Sequence, residues 1–129
     1  MKVTIEALTV HRDARGAVFE PLDAQAIGSQ RNVHVVITEP GGIRANHAHR
    51  RGTEVMVVYG PALVRYRAGE ETSERAVEAG EVVRFTFPPG VAHAVQNSGS
   101  EPNILVCFNT EAHDPARPDV APETLIARA

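Results

Sequence analysis

The sequence predicts an all-β fold, and three observations carry that prediction. Apolar runs about as long as a strand recur along the 129 residues, with Gly- and Pro-containing turns roughly every ten residues. Apolar and polar residues alternate within these runs, as they do where one face of a strand is buried. No stretch keeps a 3.6-residue apolar period, apart from a short turn at Leu22–Ile27. Short strands at this spacing are typical of a sandwich or a barrel.

Six segments are predicted as strands because they are rich in Val, Ile, Phe, Tyr and Thr. In the fourth of them, Val83, Phe85 and Phe87 are expected to face the core, and the residues between them to face away. The six segments are Asn32–Glu39, Glu54–Tyr59, Ala62–Ala68, Glu81–Phe87, Ala92–Asn97 and Asn103–Asn109.

The length predicts one domain, residues 1–129, with a proline-rich tail from about 112 to 129. Because Pro115, Pro118 and Pro122 interrupt this tail, it is predicted to be an extended strap rather than a strand. A composition of 43% hydrophobic and 22% charged residues supports a buried core.

The charge balance argues against nucleic-acid and anionic-membrane partners. Thirteen Lys plus Arg stand against 16 Asp plus Glu, for a formal net charge of −3, which is too mild and too mixed for either partner. Twelve of the cationic residues are Arg, whose guanidinium suits bidentate phosphate contacts, so a local pocket for a phosphorylated ligand stays open.

A single cysteine excludes an intrachain disulfide and fits a reducing compartment. Cys107 lies in an apolar run and is expected to be a packed core thiol. No window approaches the roughly 20 apolar residues that span a bilayer, and the N-terminal residues do not resemble a cleavable signal. The predicted location is cytoplasmic.

Two short clusters of histidines carry the clearest chemical signal. His47 and His49 are two residues apart, so on a strand both side chains point to the same face. Glu54 follows after a turn that contains Gly52 and opens the next predicted strand, where an antiparallel neighbour brings its carboxylate beside the two imidazoles. His93 comes just after a turn, at the start of a further strand.

These four side chains are predicted to hold one divalent metal ion. Three neutral imidazoles and one carboxylate suit Zn, Fe, Mn, Co or Ni and leave one or two positions open for water or substrate. A lone histidine on a strand is usually a surface or core residue, but here a pair, a carboxylate and a distant third histidine occur together. A metal that only fastens two hairpins together also remains open.

The two clusters resemble the two motifs of the cupin superfamily. The first motif is a glycine, five residues, His-x-His, a short gap, a glutamate and a further glycine, here from Gly41 to Gly60. The second motif ends in Pro-x-Gly-x-x-His-x-x-x-Asn, here residues 88–97. The resemblance implies a cupin-type jelly-roll β-barrel. The interval from Glu54 to Gly60 is one residue shorter than usual, and Gly80 lies further from Pro88, which affects hairpin geometry rather than the ligands.

Most of the chain also resembles the C-terminal cupin domain of bifunctional capsular polysaccharide enzymes that help to make UDP-N-acetyl-L-fucosamine. The Asp-x-Arg-Gly element at 13–16 is similar to that of dTDP-4-keto-6-deoxyhexose 3,5-epimerases and related sugar-nucleotide ketoisomerases. The resemblance implies a metal-dependent epimerase or isomerase of a keto-deoxy sugar nucleotide, with Zn expected first and Fe, Mn or Ni as alternatives. The matching stretches are 11–16, 37–49, 64–67, 87–97 and 109–119.

The sequence departs from that family in two respects, and the second concerns the substrate more than the metal. The sequence has neither a glycine-rich nucleotide fingerprint nor a βαβ pattern, so the nicotinamide-dependent reductase of the bifunctional enzymes is not expected here. Ala45 stands where the family usually has glycine, and Ala48 where an aromatic residue is common.

Epimerisation beside a ketone needs a base for the α-proton and a group that holds the enolate oxygen. His34 and Tyr66 are the catalytic candidates, with Tyr59 as a further possible base. The resemblance places three arginines on the pocket side, where they would bind substrate, although Arg65 and Arg67 could equally form a solvated strand face. These arginines are Arg44, Arg65 and Arg67.

Two other functional classes stay open on chemistry alone. Three histidines and one glutamate with iron would support dioxygen chemistry, as in cupin dioxygenases, and a non-catalytic small-molecule-binding cupin would need no reaction at all. The expected partners are a nucleotide sugar and a second copy of the chain, because small cupins often pair through an edge strand. The first strands and the proline-rich tail are the expected exchange elements of that homodimer.

Overall fold

The computed structural model describes residues 2–128 and is built almost entirely from β-strands. The two end residues of the predicted 1–129 domain, including the last residue of its tail, lie outside this range. Within this range the strands are β1 Thr4–Ala7, β2 His11–Asp13, β3 Gly16–Val18, β4 Asn32–Thr38, β5 Ile43–His49, β6 Glu54–Tyr59, β7 Ala62–Ala68, β8 Glu71–Val77, β9 Val82–Phe87, β10 Ala92–Asn97, β11 Asn103–Asn109 and β12 Val120–Pro122, and the one helix is α1 Ala24–Ile27.

Ten of the twelve strands in the described residues form two antiparallel five-stranded sheets. We call sheet I the order β1-β9-β6-β11-β4, and sheet II the order β12-β5-β10-β7-β8; β2 and β3 form a separate hairpin. No strand pair among residues 2–128 joins the two sheets, so the barrel is open rather than closed by hydrogen bonds. The all-β prediction is confirmed, and the predicted strands match the observed ones within one residue at each end.

The main core fills the space between the two sheets. Val83 and Phe85 have no exposed surface and Phe87 is 1% exposed, which confirms the predicted inward face of β9. The rings of Phe85 and Phe87 stack with centroids 5.8 Å apart. Cys107 is buried in the same cluster, as predicted, and burial raises the pKa of its thiol.

A second apolar cluster lies on the outer face of sheet I. Val57, Val82 and Phe108 point outward from β6, β9 and β11 and are covered by the chain that precedes β4, which contributes Leu22 and Phe19. The predicted turn at 22–27 contains α1. This helix is capped by the Asp23 carboxylate, which accepts a hydrogen bond from the Ala26 backbone N–H at 2.8 Å.

The C-terminal tail follows the predicted strap from 112 to 119 and then departs from the prediction. Val120–Pro122 pairs with β5 as β12, and Pro122 is tolerated there because β12 is an edge strand. Beyond β12 the tail crosses sheet II, where Glu123 forms an ion pair with Arg67. None of the helices among the described residues is long and apolar enough to cross a membrane.

Candidate metal centre

The four predicted ligands meet at one end of the space between the sheets. His47 and His93 are cross-strand partners on β5 and β10 of sheet II, so their side chains share the inner face. Glu54 begins β6 on the opposing sheet and is 5% exposed, whereas His93 has no exposed surface. The carboxylate therefore reaches the imidazoles across the space between the sheets. The prediction that an antiparallel neighbour of the histidine strand carries Glu54 is wrong, because β5 and β6 lie in different sheets.

The carboxylate of Glu54 lies at the middle of the cluster. Its Oε1 atom is 2.6 Å from His49 Nε2 and 3.8 Å from His47 Nε2. Its Oε2 atom is 3.0 Å from His93 Nε2. One nitrogen or oxygen from each of the four residues lies within 4.8 Å of the others. Three nitrogens and one oxygen thus converge on a single point.

This donor set fits a divalent transition-metal ion. His47 Nε2 is buried and has no hydrogen-bond partner among the described residues, although an unpaired buried polar atom is costly. A metal ion satisfies such an atom, and three imidazole nitrogens with one carboxylate oxygen are ligands that zinc and its neighbours accept. The four residues would hold the ion through the atoms that already face one another.

The electrostatics of the cluster keep Glu54 ionised. Burial alone would raise the pKa of this carboxyl, but the adjacent imidazoles of His47, His49 and His93 hold the pKa well below its usual range. Burial alone would also lower the pKa of His49, yet the contacts with Glu54 and Asp119 outweigh it and raise that pKa. An ionised carboxylate is the form that binds a metal ion.

Contacts on the far side of the imidazoles fix the orientation of two ligand rings, those of His93 and His49. His93 Nδ1 donates to the backbone oxygen of Val91 at 3.1 Å, and the ring of Phe87 stacks on the His93 ring with centroids 4.2 Å apart. His49 Nδ1 lies 3.2 Å from Asp119 Oδ2. With Nδ1 engaged in this way, both histidines present Nε2 to the centre.

Asp119 is a site residue that the sequence reasoning missed. Its carboxylate also accepts the backbone N–H groups of Arg51 at 2.8 Å and Gly52 at 3.1 Å, so it ties the strap to the turn between β5 and β6. No local pattern marks it, because it lies 70 positions from His49 in a segment without alternation.

A β-bulge places the histidines on β5. Ala45 and Asn46 adopt positive φ values of 67° and 55°, and the register with β10 shifts between His93 and Ala94. An extra residue of this kind re-aims the side chains that follow it. The Asn46 side chain accepts the backbone N–H groups of Leu125 and Ile126, at 2.9 and 3.1 Å, and thereby holds the tail.

A pocket of about 590 Å³ opens beside the cluster, between β4, β5 and the strap. His34 lies in its wall, and its Nδ1 atom is 3.1 Å from Asn32 Oδ1. His113 and Arg117 of the strap line the same pocket and were not singled out from the sequence.

The other predicted site residues lie outside this pocket. Tyr66 faces the interior, where its ring is 6.0 Å from that of Phe87. Arg65 and Arg67 point to the opposite face of sheet II; the first donates to Glu74 at 2.7 Å and to the Leu125 backbone oxygen at 2.8 Å. The second forms the ion pair with the tail.

The last predicted arginine, Arg44, is also held away from the cluster. Its guanidinium donates to the backbone oxygen of Ile37 at 2.9 Å and to Thr38 Oγ1 at 3.3 Å. It lines a separate hollow of about 850 Å³ next to Gly42 and Thr124. The structure therefore brings the four metal-ligand candidates and His34 together, but not the three arginines.

Solved structures support the predicted fold. Capsular polysaccharide assembling protein CapF from Staphylococcus aureus superposes with a TM-score of 0.68 at 26% identity over 92% of this chain, which matches 33% of CapF. QdtA of Thermoanaerobacterium thermosaccharolyticum, a sugar 3,4-ketoisomerase in complex with TDP, gives 0.70 at 15% identity over 92% of this chain and 86% of QdtA. The cupin-type jelly-roll fold is thereby confirmed.

A third solved structure, a curated relative and a family model are also similar to this chain. ChmJ of Streptomyces bikiniensis, a 3′-monoepimerase in complex with dTDP-quinovose, gives a TM-score of 0.72 at 17% identity over 89% of this chain and 67% of ChmJ. A germin-like protein of Arabidopsis thaliana is 35% identical over 56% of this chain, and the chain spans 33% of its length. Residues 11–121 match the family described as Polysaccharide biosynthesis C-terminal domain, and the chain therefore belongs to this family.

Proposed function

We propose that the chain is a metal-dependent epimerase or isomerase of a keto-deoxy sugar nucleotide, with one divalent ion, zinc first and Fe, Mn or Ni as alternatives. The observation that carries the proposal is the convergence of three imidazole nitrogens and one carboxylate oxygen within 4.8 Å, beside a pocket of about 590 Å³. Family membership, and the sugar-nucleotide enzymes among the structural neighbours, favour this substrate class.

A bound ion would supply a Lewis acid for the keto oxygen of the substrate. His34 is the proposed base for the α-proton. Because its Nδ1 faces the Asn32 amide oxygen, the Nδ1–H donates there and Nε2 is left as the proton acceptor. Tyr66 remains the second catalytic candidate, and its place against Phe87 suits it less well because it lies outside the pocket wall.

The binding of the nucleotide diphosphate by Arg44, Arg65 and Arg67 remains a prediction. Their guanidiniums contact protein carboxylates and carbonyls rather than the pocket. Arg117 lines the pocket itself, and we propose it as the arginine best placed for the phosphates. The cytoplasmic location likewise remains a prediction from the cysteine content.

The first test is elemental analysis of protein purified without an affinity tag. We expect about one equivalent of metal in the unmodified protein. His49→Ala should lose it, whereas His11→Ala should not, because His11 lies on the separate β2–β3 hairpin. Absence of metal, with none taken up when Zn, Fe, Mn or Ni is added, would contradict the metal centre.

The second test measures solvent deuterium uptake at the α-carbon of UDP- and dTDP-4-keto-6-deoxy sugars. Uptake that requires the metal and is lost in His34→Gln, with metal content unchanged, supports the proposed base. If Tyr66→Phe abolishes uptake while His34→Gln does not, the base is assigned to Tyr66. No uptake with any keto sugar nucleotide by the metal-loaded protein would contradict the epimerase.

The same ligand set also fits an iron-dependent cupin dioxygenase. Iron in the purified protein, together with oxygen consumption, would identify that class. Metal binding with neither deuterium uptake nor oxygen consumption would leave a small-molecule-binding cupin. The remaining alternative is a catalytic pocket that binds no metal. In that case His49, which lies between Glu54 and Asp119, would serve as an acid–base group.

A further inference from the structure

The ladder between β12 and β5 ends directly beside the bulge on β5. The last pair of that ladder joins Pro122 to His47. The two residues before His47 are Ala45 and Asn46, the residues with positive φ values. Glycine adopts such angles freely and asparagine less so, whereas alanine is held there only by its surroundings. The bulge therefore depends on contacts with other parts of the chain.

The C-terminal tail supplies such contacts after its strand has ended. Asn46 Oδ1 accepts the backbone N–H groups of Leu125 and Ile126, and Asn46 Nδ2 donates to the Ile126 backbone oxygen at 3.0 Å. The backbone oxygen of Asn46 accepts the N–H of Glu123 at 2.8 Å. We call Asn46 together with residues 123–126 the clamp. Its hydrogen bonds continue along β5 from the point where the ladder stops.

The tail segment of the clamp is also anchored to sheet II by other contacts. Ile126 is only 6% exposed, and Arg65 donates to the backbone oxygen of Leu125 at 2.8 Å. Glu123 forms the ion pair with Arg67. The expected exchange elements of a homodimer, β1 and β12, pair with strands of the same chain, so the clamp forms within one copy and the homodimer stays a prediction.

The bulge sets the direction of one metal-ligand candidate. His47 follows Asn46 directly, so the backbone angles of Asn46 decide on which side of β5 the imidazole emerges. His49 and His93 are fixed through hydrogen bonds at Nδ1, whereas no such bond fixes the ring of His47 among residues 2–128. The buried Nε2 atom of His47 lies 3.8 Å from Glu54 Oε1. The orientation of His47 therefore depends on the backbone that precedes it.

We propose that the tail segment 123–126 is a positioning element of the metal centre, which acts through Asn46 on the orientation of His47 and contributes no ligand itself. This role rests on the metal site of the proposed function. A closed clamp keeps the bulge in the conformation that presents His47 to the ion, and an open clamp leaves fewer chains with all four ligands in place. The apparent metal affinity falls in proportion to the fraction of competent chains. By linkage, a bound ion stabilises the docked tail by the same factor.

Competition between the full chain and a chelator for Zn²⁺ tests the clamp. Asn46→Ala removes the three hydrogen bonds of the side chain and should weaken Zn²⁺ binding about 10- to 100-fold, as the loss of outer partners of metal ligands does. Asn103→Ala is the matched control, because Asn103 is 6% exposed at the opposite end of β11 from Asn109, the partner of Glu54. The control should lower the stability and leave the Zn²⁺ affinity within about 2-fold.

A second variant loosens the tail and leaves Asn46 in place, which keeps the test valid if Asn46→Ala fails to fold. Ile126→Ala removes the buried part of the anchor and should weaken Zn²⁺ binding about 3- to 10-fold. Thr124→Ala, at an exposed position of the same segment, should leave the affinity unchanged. Circular dichroism checks that each variant keeps the fold.

Amide hydrogen exchange of the unmodified protein gives a readout that a purely structural tail would not change. Saturating Zn²⁺ should slow exchange at the N–H groups of Leu125 and Ile126 by about the factor that Asn46→Ala loses in affinity, roughly 10- to 100-fold. The Leu8 N–H, which donates to the Val82 backbone oxygen on sheet I, is the reference for any general stabilisation and should slow less.

Two results overturn the positioning role and leave the metal centre intact. The first is an unchanged Zn²⁺ affinity in folded Asn46→Ala and Ile126→Ala, or an equal loss in the two control variants. The second is tail exchange that Zn²⁺ slows no more than exchange at Leu8. An unmodified protein that takes up no metal contradicts the metal centre itself, and the positioning role falls with it.

Discussion

The two ends of the space between the sheets are built from the same strands but hold opposite kinds of residue. At the end away from the metal-ligand cluster, which we call the closed end, Val58, Val83 and Leu105 meet without a polar atom among their side chains. At the open end, one strand length away, β6 begins at Glu54 and β10 contributes His93, both buried among histidines. The boundary is Phe87, which is stacked on Phe85 on one side and on His93 on the other.

The difference shows how one small interior combines stability with a polar site. Apolar burial is non-directional and tolerates any arrangement that fills space, so the closed end depends on shape. The open end depends on directed contacts, because a buried carboxylate is tolerated only when it is paired. We therefore expect substitutions at the closed end to change the free energy of unfolding, and substitutions at the open end to change metal affinity.

The largest expected effect is at the core. Phe85→Ala removes a ring with no exposed surface and should lower the free energy of unfolding by about 3–5 kcal/mol, because a cavity remains. Urea unfolding of the metal-free protein measures it. Val18→Ala, at a 66% exposed position, should change stability by no more than about 0.5 kcal/mol. A loss below about 1 kcal/mol in Phe85→Ala would show that the interior repacks.

An intermediate effect is expected behind the ligands. Asp119→Asn removes the charge that faces His49 Nδ1 and should weaken metal binding about 10- to 100-fold, as outer partners of metal-bound histidines do. Competition with a chelator measures the affinity. Asp114→Asn is the control, since Asp114 lies on the same strap and its carboxylate contacts the Ala116 backbone N–H instead. Equal affinities for the two variants would remove Asp119 from the site.

The smallest effect is expected at the exposed rim of the closed end. Arg75 donates to both carboxylate oxygens of Glu81, at 3.2 and 3.0 Å, and this hydrogen bonding lowers the pKa of Glu81. Solvent screens the pair, so Glu81→Gln should cost only a few tenths of a kcal/mol, roughly 0.2–0.5.

The pH dependence of that small effect has a definite sign. A carboxyl whose pKa is lowered by folding stabilises the protein above its unfolded pKa, about 4.3, and loses that contribution as the pH falls through its folded pKa. Unfolding curves of Glu81→Gln and the unmodified protein should therefore differ at neutral pH and converge in acid. A difference that grows as the pH falls would contradict the assignment.

The strands that bury apolar residues were predictable, and so were the metal-ligand candidates, because both signals are local. Strand β8, Glu71–Val77, was not predicted because its sequence is mostly polar. The strand pairs with β7 but buries few of its side chains. Alternation showed that Arg65 and Arg67 share one face but not which face, because Tyr66 could equally have pointed outward. That choice depends on β10 and on the tail, both distant in sequence.

Residues that reach the metal centre from a distant part of the sequence were not predictable. Asp119 reaches His49 only because Val120–Pro122 pairs with β5, and the three prolines of the tail argue against such a strand. The bulge at Ala45 and Asn46 has no glycine to mark its positive φ values. Tertiary contacts, here the hydrogen bonds from the backbone N–H groups of Leu125 and Ile126 to the Asn46 side chain, outweigh the local backbone preference for negative φ.

Strand β4 has a consequence for how the protein behaves when it is incompletely folded. The window 33–37 has high β-propensity, no formal charge with His34 neutral and no proline, the composition that favours cross-β stacking. Arg31 on one side, and Glu39 with Pro40 on the other, are the nearest residues that interrupt such stacking. Chains that expose both faces of this window during refolding should aggregate in preference to folding, so yields should fall steeply as the refolding concentration rises.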